Sequence, residues 1–313
     1  MTFSFSNFAD ALRGGAAISP QDVLAARQWA WSDGGITAAE ADVIFELNGL
    51  ASDASAEWVD FFVEALSEFV VNTQPPRGYI DDANAAWLMT RVDRDGKVET
   101  RAELELLVKA MEIALNAPES LKSYALDQIE RVVTTGAGPT RRGGTLRPGV
   151  IDEAEVALLR RLLFAGGSEA GTTISRDEAE TLWRLKDACL NADNAPGWKT
   201  LFVQAVGNHL MAHNLYHPLA RSEAQRLDAF VADNRAHIGG FLARMAKNLV
   251  RPPIGDAFAK HPAERLQAEI EADRRVGPNE AAWVRAHVDA DGRRDPIEEA
   301  LIAFIEAESG TRI

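Results

Sequence analysis

Ala85-Ala86-Trp87 followed by Arg91-Val92-Asp93-Arg94-Asp95-Gly96 recurs 196 residues later as Ala281-Ala282-Trp283 followed by His287-Val288-Asp289-Ala290-Asp291-Gly292. A shared Ala-Ala-Trp with Val-Asp-x-Asp-Gly at the same offset predicts an internal duplication of a helical unit. The match extends outward. Trp58-Val59-Asp60-Phe61-Phe62-Val63-Glu64-Ala65 resembles Trp198-Lys199-Thr200-Leu201-Phe202-Val203-Gln204-Ala205, Ile36–Ala41 resembles Ile174–Ala179, and Val23–Trp31 has its counterpart in Val156–Phe164. The offset grows from 140 at Trp58/Trp198 to 196 at Trp87/Trp283, so the second copy holds an insertion of about 56 residues, roughly between Asn214 and Arg275. The expected organisation is a first helical unit over 1–133, a Gly/Pro/Arg linker over 134–149, and a second unit over 150–313 with its insertion at about 214–275.

The periodicity is helical. Trp58, Phe61, Phe62, Ala65 and Phe69 fall at i, i+3, i+4, i+7 and i+11, one face of a helix, and Leu104, Leu107, Val108, Met111 and Leu115 follow the same rule. Leu227, Phe230, Val231, Ile238, Phe241 and Met245 give the insertion a helical pattern, stopped at Arg251-Pro252-Pro253. The fold class is therefore all-α: two related helical units, the second enlarged. Trp58/Trp198, Trp87/Trp283 and Phe45/Trp183 match as interchangeable core aromatics. Trp29 and Trp31 precede the first Asp-Gly turn, where one of them is a candidate for exposure.

Composition narrows the function classes. The chain of 313 residues is long enough for two ordinary cores, and its 46% hydrophobic and 26% charged residues are those of a globular protein. The net charge of −14 argues against a nucleic-acid partner, which needs a basic face. About eighteen acids against about seven bases lie between Pro20 and Leu115, so the first half offers an acidic surface to a basic protein partner. The single Cys189 excludes an internal disulfide and reads as a small buried side chain. No leader pattern and no span of eighteen apolar residues are visible, so a cytoplasmic location is expected.

Asp93-Arg94-Asp95-Gly96-Lys97-Val98 resembles the middle of an EF-hand calcium loop, where a glycine turn gathers carboxylate oxygens around a hard cation. Asp33-Gly34-Gly35-Ile36 with Glu40, and Asp289, Asp291 and Gly292 with Glu298, repeat parts of that pattern. Candidate ligands of Ca2+ or another divalent cation, held weakly, are thus Asp33, Glu40, Asp93, Asp95, Glu99, Asp289, Asp291 and Glu298. With the glycine at the sixth loop position, the first ligand position falls on Trp29, Arg91 and His287, none of which supplies an oxygen. The second copy's first loop has Gly171 and Thr172 where the aspartate and glycine would stand. A structural reading covers more residues: Thr37/Glu40, Thr100/Glu103, Ser175/Glu178 and Asp295/Glu298 are capping boxes, with Pro296 at a first helical position.

The recurring Asp-Gly-x-Ile-x-x-x-Glu before a Trp/Phe-rich helix also resembles the tellurite-resistance TerB-like helical domains, over Asp33–Ala65 and more loosely Ile174–Ala205. That resemblance implies a compact all-helical module with acidic, metal-associated positions.

His209, His213 and His217 stand at i, i+4 and i+8, a spacing that stacks imidazoles on one helix face and can chelate a borderline metal. There is no His-Glu-x-x-His and no acid between them, and His209 aligns with the core-facing Phe69. A metalloenzyme built on this ladder would need further ligands, with His237 and His261 as candidates. Three functions stand open from sequence. The leading one is a non-catalytic cytoplasmic module that binds a protein partner or regulates, with weak cation binding at an Asp-Gly loop. The others are a metal-dependent enzyme on the histidine ladder and a structural, self-assembling helical protein.

Overall fold

Thr37, Thr100, Ser175 and Asp295 each accept from the amide three residues on, and Glu40, Glu103, Glu178 and Glu298 accept from the cap amides in return. Four helices thus begin at the capping boxes legible in the sequence, each with two otherwise orphaned amides satisfied. Ser19/Asp22 and Asp152/Glu155 make two more boxes.

The computed structural model describes residues 5–32, 34–51, 54–93, 98–140, 148–165, 173–211, 276–290 and 292–313. The expected helical insertion lies outside the described residues, as do Asp33, Asp95, Asp291, His213, His217, His237 and His261. The described helices are α1 (Phe5–Arg13), α2 (Pro20–Ala30), α3 (Ala38–Leu50), α4 (Ala56–Glu68), α5 (Asp82–Val92), α6 (Arg101–Ile113), α7 (Glu119–Thr135), α8 (Glu153–Leu163), α9 (Arg176–Ala188), α10 (Gly197–Met211), α11 (Pro278–Val288) and α12 (Pro296–Ser309). The fold is all-α: among the described residues the only β pairings are two isolated bridges, Tyr79 with Asn116 and Asp93 with Val98. α4 runs on into a π turn at Phe69–Thr73.

The packing partners follow an order. α1 packs on α3, α2 on α4, α3 on α4 and α4 on α6; further along the chain α7 packs on α9, α8 on α10, α9 on α10 and α10 on α12. The halves are joined by α6 against α8 and by α7, which touches α5, α6, α8 and α9. One contiguous core runs from Phe8 to Ile305, with Trp58, Phe61, Phe62, Trp183, Trp198 and Phe202 fully buried within it. Cys189 is buried there as well.

The residues on either side of 141–147 fold back onto the helices they follow and precede. The Gly149 amide donates to the Val133 carbonyl at 2.8 Å, and the Thr140 hydroxyl donates to the buried Glu155 carboxylate at 2.8 Å. No described helix is long and apolar enough to cross a membrane.

Candidate functional site

The loop carboxylates are placed by the helix ends they belong to. Glu40 Oε2 accepts from the Thr37 amide and hydroxyl, both at 2.8 Å. Glu298 Oε2 accepts from the Asp295 amide at 2.9 Å, and its other oxygen is held by Lys186 Nζ at 2.5 Å. Asp93 follows the last turn of α5 and bridges to Val98, whose amide donates to Gln128. Burial, reinforced by the Asp93 carboxylate beside it, raises the Tyr124 hydroxyl above its ordinary range. Glu99 is exposed while its amide donates to Glu103, and Asp289 follows α11 with Arg294 at 4.0 Å. Among the described residues, no three His, Cys, Asp or Glu side chains gather as a metal site. Asp33, Asp95 and Asp291 are outside them.

The same contacts recur at positions matched by the sequence register, with different chemistry. In the first half, Asn48 of α3 donates to Thr100 Oγ1 at 3.1 Å and accepts from the Trp58 indole at 3.2 Å. In the second half, Lys186 of α9 donates to Asp295 at 2.7 Å and to Glu298 at 2.5 Å. An ammonium has no acceptor. The Trp198 indole N–H, the counterpart of Trp58, is accordingly buried with no partner among the described residues. Burial works against the Lys186 charge, but hydrogen bonds to Asp295, Glu298 and Asp187 outweigh it and hold the ammonium above its usual range. Burial likewise pushes Asp295 up, while Lys186 and the helix amides pull it below the usual carboxylate range.

A second matched pair lies at the α3/α5 and α9/α11 contacts. Arg91 pairs with Asp42 at 2.8 Å, and at the counterpart position His287 meets Glu180 at 3.1 Å. Phe69 lies 5.3 Å from Trp87, and His209 lies 5.2 Å from Trp283. His209 Nδ1 is 2.8 Å from the Ile174 carbonyl; a carbonyl only accepts, so Nδ1 carries the proton. The imidazole thereby ties the end of α10 to the segment entering α9. Burial raises Glu180, but hydrogen bonds from Trp283 and Arg176, together with His287, leave it below the usual carboxylate range.

A cleft of about 960 Å³ lies over the outer side of α4. The core face of α4 carries Trp58, Phe61, Phe62 and Ala65. Its neighbouring face supplies Val59 and Val63 to the floor and Asp60, Glu64 and Glu68 to one rim. α6 supplies Arg101, Glu105, Lys109 and Ile113; Trp31, Pro139, Thr140 and Arg161 complete the lining. Trp31, Val59, Val63 and Ile113 are half-buried apolar side chains backed by the core. Some of the charges are already engaged. Arg161 bridges to Glu105 at 2.6 Å and Glu112 at 2.7 Å, and Glu64 holds Arg27 at 2.5 Å. Asp60 and Lys109 face the cleft with no ionic or hydrogen-bonded partner among the described residues.

At the matched position of the second half an aromatic ring fills the space. Nine residues after its tryptophan, α4 has Ser67 and α10 has Gly207; nine residues after their caps, α6 has Lys109 and α12 has Phe304. The Phe304 ring lies so close to Gly207 that a Cβ there would collide with it. Lys109 and Ser67 instead leave the first-half position open as part of the cleft lining.

No family model, curated protein or solved structure matches the chain. The cleft residues are not legible as a site in the sequence, because each looks like an ordinary helix-surface residue. Two signals point to them all the same: the acidic register Asp60/Glu64/Glu68 beside Val59/Val63, and the exchange of Lys109 and Ser67 for Phe304 and Gly207 between matched segments.

Proposed function

We propose that the chain is a non-catalytic helical scaffold built from two copies of one unit, and that its first half binds a protein partner in the α4/α6 cleft. The observation that carries this is the cleft itself: an apolar floor backed by the core, rimmed by acids from α4 and bases from α6, and left open by Lys109 and Ser67 where the second half is plugged by Phe304. Apolar surface flanked by charge is the pattern of recognition surfaces rather than of ordinary solvated faces. The duplication is supported by the recurrence of helix partners and of the matched contacts Asn48/Lys186, Arg91/His287 and Phe69/His209. Under this proposal each copy contributes six of the described helices, α1–α6 and α7–α12. α7 opens the second copy because it packs on α9 as α1 packs on α3.

A photo-crosslinking side chain placed at Val63 in the full chain, in cells that make it, tests the proposal. Val203, at the matched half-buried position of α10, is the control. A discrete protein adduct at position 63 and none at 203 is the expected result. Equal labelling at both positions, or none at 63, would contradict it.

A further inference from the structure

We propose that the occupant of the α4/α6 cleft is an amphipathic α-helix of about three turns, with an apolar stripe and a basic edge that lies along Asp60, Glu64 and Glu68. The inference rests on the cleft being a partner site and adds the partner's chemistry. The lining face of α4 runs from Ala56 to Glu68, which spans about 18 Å at a rise of 1.5 Å per residue. A helix of about twelve residues has that length.

Spacing favours a helix over an extended peptide. Asp60, Glu64 and Glu68 stand at i, i+4 and i+8, so their carboxylates recur about every 6 Å along one ridge. A neighbouring helix with Lys or Arg at its own i and i+8 meets Asp60 and Glu68 in register, on either side of Glu64, which Arg27 already holds. Ridges of side chains seat in the grooves of a facing helix, and the trough between α4 and α6 is such a groove. An extended peptide would seek an open strand edge, and among the described residues there is none, only two isolated bridges.

Charge fixes the direction of the preference. Among the described residues, Asp60 is exposed and unpartnered and Glu68 is engaged only by the neutral Asn72 amide at 2.6 Å, so the α4 rim retains negative charge. Across the cleft Lys109 is the cation without a partner among the described residues, since Glu105 is taken up by Arg161 and Arg101. The matching helix therefore carries bases along one edge and an acid on the other, with Leu-like side chains at i, i+3, i+4 and i+7 between them reaching Val59, Val63, Ile113 and Trp31. Burying three or four such side chains, with the rim charges steering approach, suits a reversible docking contact.

The test is a displayed library of random peptides about fourteen residues long, selected on the full chain and counter-selected on Val63→Arg. Circular dichroism and melting temperature confirm that the variant folds, and Asp60→Lys, at an exposed position, provides a second variant that leaves the floor intact. The expected winners carry apolar residues at three- and four-residue spacing with Lys or Arg along one edge. As synthetic peptides they gain helicity on binding, lose about tenfold or more in affinity on Val63→Arg and on a central proline, and weaken on Asp60→Lys and with salt. Winners that depend on Val63 but are acidic, or tolerate the central proline, overturn the inference and leave the cleft as a partner site. A dimer by light scattering that Val63→Arg dissociates overturns it in the same way, because the occupant is then a second copy. Failure to enrich any Val63-dependent sequence overturns both.

Discussion

Lys186 and Asn48 occupy matched positions and solve the same problem in opposite ways. Each lies at the end of a helix and ties it to the capping box of another, α6 for Asn48 and α12 for Lys186. Asn48 can donate and accept, so it also satisfies the Trp58 indole. Lys186 only donates. It bridges two carboxylates at the cap of α12 and leaves the Trp198 N–H without a partner among the described residues. Removing one side of such a buried pair strands the other, and Lys186→Met is expected to cost about 3–5 kcal/mol at neutral pH, read from denaturant unfolding. The pH profiles carry a sharper signature. The folded pKa of Asp295 is depressed, so its contribution is present above the unfolded value of about 4 and is lost as pH falls through the folded value. Glu180, also depressed, acts in the same direction. The native chain should therefore lose stability below about pH 4. In Lys186→Met the Asp295 carboxylate loses that cation and burial pushes it up instead, so that variant should gain stability as pH falls from 7 to 5. A melting curve for the variant that simply parallels the native one would refute this account of the pair.

At the scale of elements, the helices form where local rules place them, and packing decides what each face does. The capping boxes, the apolar stripe of α4 and the periodicity of α6 were legible because each depends on residues within about four positions of one another. The buried ion pairs were not. Lys122 meets Glu178, and Lys186 meets Glu298 across 112 residues of chain; in the sequence these lysines look like solvated helix residues. Nor does a glycine inside α10 announce its reason. Gly207 is worth keeping because Phe304 of α12 lies against it. Alanine is the better helix former by about 1 kcal/mol, so the steric term has to exceed that gain before any loss is seen. Overpacking of about 1–3 kcal/mol does so over most of its range. Gly207→Ala should lower the melting temperature, and Phe304→Leu in the same chain should recover part of the loss. An unchanged or raised melting temperature for Gly207→Ala alone would mean that the ring moves aside freely.

For the whole molecule, the consequence is asymmetry between two halves that use the same helix partners. The first half ends with an open trough and a charged rim, and the second with an aromatic plug, buried ammonium groups and an imidazole-for-arginine exchange at His287. The acidic bias of residues 20–115 was visible in the sequence. That α4 directs part of it along one apolar cleft was not, since the cleft draws on α2, α4, α6, α8 and the 139–140 turn together. The two halves also suggest their own control. Lys109→Phe with Ser67→Gly gives the first half the pair that fills the second, and should leave the fold intact while occupying the trough. The most direct test of the central claim is the affinity of this doubly substituted full chain for a basic amphipathic peptide selected on the native chain. We predict a melting temperature at or above the native value and binding weakened by about tenfold or more, a change of about 1.4 kcal/mol or larger. Undiminished binding to a folded, plugged chain would contradict the assignment of the α4/α6 cleft as the partner site.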